Sequence, residues 1–333
     1  MIRPLPLPIL LPALAGCHLF ASGTIGTTCE DLEGGCPGDT GPIDTSPVGG
    51  DYTVRSVLGA RGAGGVSVRA IGPEGDVLLS VATDDSPSPG PVAWDEPGGR
   101  IFYYDNAASV LHVLQPSAGA VIDGYAPDTG AERIQAVDVA YVDSRLYVLA
   151  PTALYRVDIE GRTFGTLVPE GLILDGRSMV PSPDGAIWVL DLGGVGGLPD
   201  LWRVDLGSGD AVQALSDFDD GQGRAHAGFL GPGNTGWVCS ALGSMYAVED
   251  LLAGSRTPSA MPDPADMQAL VGASFVDDVT DCGWDPSASR FLASSVSAGI
   301  LGIDAWNSVD RRVAPVEGET PFHADFVPAP AAR

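Results

Sequence analysis

A strand-rich unit recurs about every 40–55 residues, glycine (45) and proline (28) are abundant, and no long 3.6-residue apolar periodicity runs through the 333 residues. Together these predict an all-β fold, a six-bladed β-propeller closed by pairing of N- and C-terminal strands, with seven blades as the alternative. Each unit reads as an apolar strand ending in an aromatic, a turn, an aromatic-rich strand, and a third strand often closing on Val-Asp or Ile-Asp. The units are VAWDEPGGRIFYYDNAASVLHVL, VAYVDSRLYVLAPTALYRVDI, MVPSPDGAIWVLDLGGVGGLPDLWRVDL, AGFLGPGNTGWVCSALGSMYAVE and CGWDPSASRFLASSVSAGILGID, starting at about 92, 139, 179, 227 and 282. AVIDGYA, TFGTLVP, AVQALSD and RRVAPVE supply fourth strands; between 251 and 275 none stands out.

The remaining blade is assembled from both ends. HADFVP (323–328) matches only a first strand, whereas YTVRSVLGA, GVSVRAI and DVLLSVA, within 52–82, supply three strands with no first strand before them. Joining them removes two free sheet edges. Residues 51–333 are therefore expected to form the propeller.

The segments PDGAIWVLD and LWRVDLGSG resemble the loose repeats of NHL, SMP-30/gluconolactonase and streptogramin-lyase propellers. That resemblance implies the fold more than an activity, because the architecture hosts enzymes, scaffolds and binders.

The N-terminus is a different kind of sequence. Arg3 precedes a short apolar run, PLPLPILLPALAG, too short to span a bilayer as a helix. Leu14-Ala15-Gly16-Cys17 resembles the bacterial lipobox. The resemblance implies a signal peptide over 1–16, cleavage before Cys17 and acylation of that cysteine, giving a membrane partner through the lipid anchor. His18 rather than Asp at the next position implies the outer membrane by the sorting pattern of such lipoproteins, hence a cell-envelope location. Residues 17–50 then form the lipidated cysteine and a Gly/Pro/Asp/Thr/Ser tether that cannot build a core. Such a tether spans roughly 30–35 Å.

The formal charge of −26 repels nucleic-acid phosphates, so no nucleic acid is expected as partner. All 17 basic residues are arginine, which excludes P-loop, Schiff-base and Ser–Lys chemistry. Cys29, Cys36, Cys239 and Cys282 are an even set in an exported chain. They are expected as two disulfides, Cys29–Cys36 in the tether and Cys239–Cys282 between neighbouring repeats, with Cα atoms roughly 4.4–6.8 Å apart.

A site is sought at the mouth of the channel, where first strands converge. Three residues before Trp94, Tyr141, Val180, Phe229, Trp284 and Phe326 stand Pro91, Asp138, Arg177, His226, Asp281 and His323. Two imidazoles with carboxylates can hold Zn²⁺ or another divalent metal. A histidine oriented by an aspartate can act as general base, and Arg177 can hold an anion. Equally, the ring can be a hydrated polar channel lining. SMP-30-like enzymes hold their metal with Glu, Asn and Asp, but Asn106, Asn234 and Asn307 stand outside this ring; streptogramin lyases use histidines, which His226 and His323 match in type. Asp217–Gly221 lacks the glycine and glutamate of a calcium loop, and the glycines at 193–197 lead into a strand rather than a phosphate-binding helix. The expectation is a non-catalytic binding or scaffold propeller for a protein or small-molecule partner. A metal-dependent hydrolase or lyase using the His/Asp ring is the alternative.

Overall fold

The computed structural model describes residues 56–62, 65–71, 77–83, 90–95, 98–115, 120–125, 133–182, 184–193, 198–218, 225–271, 279–285, 289–304, 308–313 and 320–326. All fall within one compact unit, Gly41–Arg333. The lipobox, Cys17, Cys29, Cys36 and the tether lie outside the described residues.

Five consecutive antiparallel sheets follow the repeat. The first is β4 (Val92–Asp95), β5 (Arg100–Asp105), β6 (Val110–Gln115) and β7 (Ala120–Tyr125). The second is β8 (Asp138–Val142), β9 (Arg145–Ala150), β10 (Ala153–Asp158) and β11 (Thr163–Val168). The third is β12 (Gly176–Ser182), β13 (Ala186–Asp191), β14 (Asp200–Asp205) and β15 (Ala211–Leu215). Next come only three strands, β16 (Ala225–Leu230), β17 (Gly236–Ser240) and β18 (Met245–Ala247). The strands β19 (Val279–Asp285), β20 (Arg290–Ser295), β21 (Gly299–Ile303) and β22 (Val309–Val313) restore the four-stranded form. The last sheet joins the ends of the chain: β23 (Thr320–Phe326) pairs antiparallel with β1 (Ser56–Gly62), followed by β2 (Gly65–Ile71) and β3 (Val77–Thr83).

The expected count of six complete blades, or seven, is corrected. Among the described residues the propeller has five full blades of four strands, and a three-stranded sheet stands in the remaining sector. The reason is local. After β18 the chain enters helix α1 (Val248–Leu252), then Thr257–Pro264 carries three prolines, then helix α2 (Pro264–Val271) follows. Proline cannot donate to a ladder, so no strand forms over Thr257–Pro264. A single bridge, Met245 to Ala260, covers the edge of β18, with Met245 N–H donating to the Ala260 carbonyl at 2.7 Å.

The core lies between sheets, not within one. Ala93, Phe102 and Val113 pack with Val139, Leu146 and Val148 of the next sheet. Tyr147 and Leu154 meet Ile187 and Val204, and Leu190 and Leu201 meet Val238 and Tyr246. Because both faces of a blade are covered, second strands read as unbroken apolar runs, and every residue of β5 is buried. The first strands β4, β8, β12, β16, β19 and β23 touch their neighbours in a closed circuit. Gly228 shows how close they run: a Cβ there would meet Val180 Cγ2 at 2.1 Å.

The Val-Asp and Ile-Asp endings are turn caps. Asp158 accepts Gly161 N–H at 2.9 Å, Asp304 accepts Ser308 N–H at 2.9 Å, and Asp205 accepts Gly207 and Ser208 N–H at 2.9 and 2.8 Å. The Ser208 backbone and hydroxyl donors hold the Asp205 carboxyl below the usual carboxylate range.

Candidate functional site: the channel mouth and its long-loop face

In each meander, the start of the first strand, the end of the second, the start of the third and the end of the fourth share one end of the sheet. That end carries the connection 169–175 between β11 and β12, whereas helix α1 leaves the end of β18 at the opposite end, beside Gly236. Asp138 and Asp281, near the starts of β8 and β19, lie at the 169–175 end.

Asp138, at the start of β8, is engaged by backbone and side-chain donors. Its Oδ1 accepts Val139 N–H at 2.7 Å. Its Oδ2 accepts Met179 N–H at 2.6 Å and the Ser178 hydroxyl at 2.9 Å, both on the next sheet. Ser178 Oγ in turn accepts Gly228 N–H at 3.0 Å on the sheet after that. One carboxylate and one hydroxyl thus tie three first strands in series. Asp281 opens the same way, with Oδ1 accepting Cys282 N–H at 2.8 Å.

Arg177 does not share this register. Gly176 pairs with Asp191 and Ser178 with Leu190, so Arg177 is the extra residue of a β-bulge. Pro181, not Val180, is the residue of β12 that matches Tyr141 in pairing, and counting back from it reaches Ser178. Arg177 instead ion-pairs with Asp175 at 3.2 Å, both half-exposed. Bulges recur in the first strands at His226, between Ala225 and Ala227, and at Thr280, between Val279 and Asp281. His226 lies on β16 and His323 on β23, paired with Gly59; their side chains lie outside the described residues. Among the described residues, no group of three or more His, Cys, Asp or Glu is arranged to hold a metal ion. Asn106 is taken up in a reciprocal pair with the Ala136 backbone, at 2.7 and 2.8 Å.

Replacing Asp138 with alanine is expected to cost about 2 kcal/mol, because Met179 N–H and the Ser178 hydroxyl lose their acceptor. Equilibrium urea unfolding measures it, and Ser178→Ala, which removes one bond of this set, should cost less.

Sequence reasoning missed a second hub. Asp191, at the end of β13 and 1% exposed, accepts three backbone N–H groups: Leu174 at 3.1 Å, Asp175 at 2.7 Å and Gly193 at 2.9 Å. Leu192 N–H returns to the Asp175 carbonyl at 2.9 Å, and Gly176 N–H to Pro151 at 2.6 Å. Loop 169–175 is thereby pinned, with Ile173 fully buried between Leu172, 39% exposed, and Leu174, 59% exposed. The legible signal is the end of four of the second strands, where Asp105, Asp191, Ser240 and Ser295 each accept turn N–H groups. For Asp191→Ala, amide hydrogen exchange should speed up at 174, 175 and 193 while the Asp138 network keeps its protection.

Cys239 on β17 and Cys282 on β19 form a disulfide between adjacent sheets, with S–S 2.05 Å and Cα–Cα 6.5 Å. The aromatics Phe229, Trp237, Phe291 and Trp284 pack in the same interface, Trp237 and Phe291 with ring centroids 4.8 Å apart.

No protein-family model matches the chain, and no curated protein matches it. Solved structures do. A chain of a nidogen/laminin complex superposes with a TM-score of 0.55 at 9% identity, over 81% of this chain and 97% of that one. A protein described as TolB from Agrobacterium tumefaciens gives 0.50 at 13% identity, over 84% and 100%. Hydrazine synthase from Kuenenia stuttgartiensis gives 0.50 at 11%, over 72% and 89%. At such identities the likeness defines a β-propeller and carries no activity across.

Proposed function

We propose that this chain is an exported lipoprotein, cut before Cys17 and anchored by lipid in the cell envelope at the outer membrane. Its propeller is a non-catalytic binding module that meets a protein or small-molecule partner at the long-loop face. The observation that carries the binding reading is the pinned loop 169–175. A buried carboxylate accepts three backbone donors, two of them in this loop, beside the exposed side chains of Leu172 and Leu174. Large apolar side chains fixed in advance lose little freedom on binding, which is how a small contact area becomes useful affinity. The Cys239–Cys282 disulfide supports export, since such bonds persist in oxidising compartments. One of the similar solved structures is itself a protein–protein complex, that of nidogen and laminin.

The test is photo-crosslinking of the full chain in cells from positions 172 and 174, with position 212 on the outer strand β15 as control. Val212, 64% exposed, matches or exceeds Leu174 in exposure. Adducts from 172 and 174 but not from 212 are the expected result. The reading fails if 172 and 174 give none while the purified chain carries stoichiometric divalent metal and turns over lactones or esters, with both lost in His226→Ala/His323→Ala.

A further inference from the structure

Cys239 is fully buried and Cys282 is 2% exposed. Their disulfide lies in the seam between the three-stranded sheet and the blade β19–β22, among Phe229, Trp237, Met245 and Phe291. Thiol–disulfide exchange needs in-line access of an attacking thiolate to a sulfur, and a catalyst of that exchange is itself a protein with a bulky disulfide. Neither can reach this bond in the closed structure. Among the described residues, the sheet on one side of this seam is the one without a fourth strand, a single bridge standing at the edge of β18.

We propose that this chain is a client of a disulfide-bearing oxidoreductase, which makes the Cys239–Cys282 bond before the seam closes, and that closure then seals the bond. One cysteine thiolate attacks the catalyst's disulfide, whose S–S bond breaks as a mixed disulfide forms. The second cysteine thiolate attacks the chain-side sulfur of that mixed disulfide, and the catalyst leaves. Two electrons pass to the catalyst, which departs as a dithiol carrying the two protons lost by Cys239 and Cys282. This goes beyond the binding reading and holds whether or not Cys17 carries lipid.

The experiment uses the oxidised full chain, with dithiothreitol as the probe and differential alkylation followed by peptide mass spectrometry to read Cys239 and Cys282 separately. Reduction in native buffer is expected to be about 100-fold slower than in guanidinium, because it must wait for the seam to open. Similar rates in both would overturn the proposal. A second measurement starts from the reduced, unfolded chain diluted into buffer with an oxidised disulfide oxidoreductase, following the bond against tryptophan fluorescence. The bond should appear before or with the native signal of Trp237 and Trp284. Native fluorescence with both thiols free, followed by their oxidation at the rate seen in the unfolded chain, would contradict it.

Discussion

Replacing Asp95 with alanine is expected to destabilise the protein by about 3–5 kcal/mol, the largest effect of any single substitution considered for this fold. Asp95 is fully buried and Arg100 is 8% exposed. They face each other across the β4–β5 hairpin, with Arg100 Nε and Nη2 donating to Asp95 Oδ2 at 2.9 and 2.5 Å, and Gly98 N–H donating to Oδ1 at 3.0 Å. Without the carboxylate, the guanidinium keeps the face of Phe102, 5.5 Å away, among the described residues. An unpaired buried charge is far costlier than the pair is favourable. The double substitution Asp95→Leu/Arg100→Met should therefore recover most of the loss. Urea unfolding of the two variants separates the outcomes, and equal destabilisation by both would show that packing rather than charge sets the effect. Tyr141 of the next sheet reports on the same site: burial and the nearby Asp95 carboxylate push its hydroxyl above the ordinary tyrosine value.

Removing the Cys239–Cys282 bridge is expected to cost about 4 kcal/mol on the loop-entropy estimate for a closed loop spanning 43 positions. The variant Cys239→Ala/Cys282→Ala leaves Cys29 and Cys36 untouched and needs no reductant. Its loss should concentrate in unfolding of the three-stranded sheet, visible as faster hydrogen exchange at β16–β18 than at β4–β6. Equal loss of protection in both places, or a midpoint unchanged from the native chain, would contradict the assignment of the bridge to the weak sector. Wild-type protein unfolded and refolded in excess reductant should match the variant.

The strand positions were legible because the repeat is written twice, once in apolar runs and once in the turn-capping aspartates. The blade count was not, since a sector that ends in TPSAMPDP and two helices offers no apolar alternation to find. Asp138 was legible as a polar residue at a strand start, and its carboxylate is a structural tie between sheets. Arg177 was placed in the channel ring by counting through a bulge, and a bulge has no signature in apolar spacing. Ser178 therefore went unseen, although it carries the tie onward to Gly228. The Asp95–Arg100 pair was within reach of sequence reasoning, since D-E-P-G-G-R puts opposite charges on either side of a tight hairpin. The pinned leucines were not, because L-I-L reads as core until Asp191 is seen to turn the loop outward.

We propose that this propeller reaches its partner from a lipid anchor, and the mass of the mature N-terminus tests this most directly. Full-length protein taken from the membrane fraction is digested, and its N-terminal peptide is measured intact. The account predicts a peptide beginning at Cys17 with acyl chains on sulfur and amine, and release of the protein to the soluble fraction in Cys17→Ala. A mature chain beginning elsewhere, or an unmodified Cys17 in protein that fractionates unchanged in the variant, would contradict it.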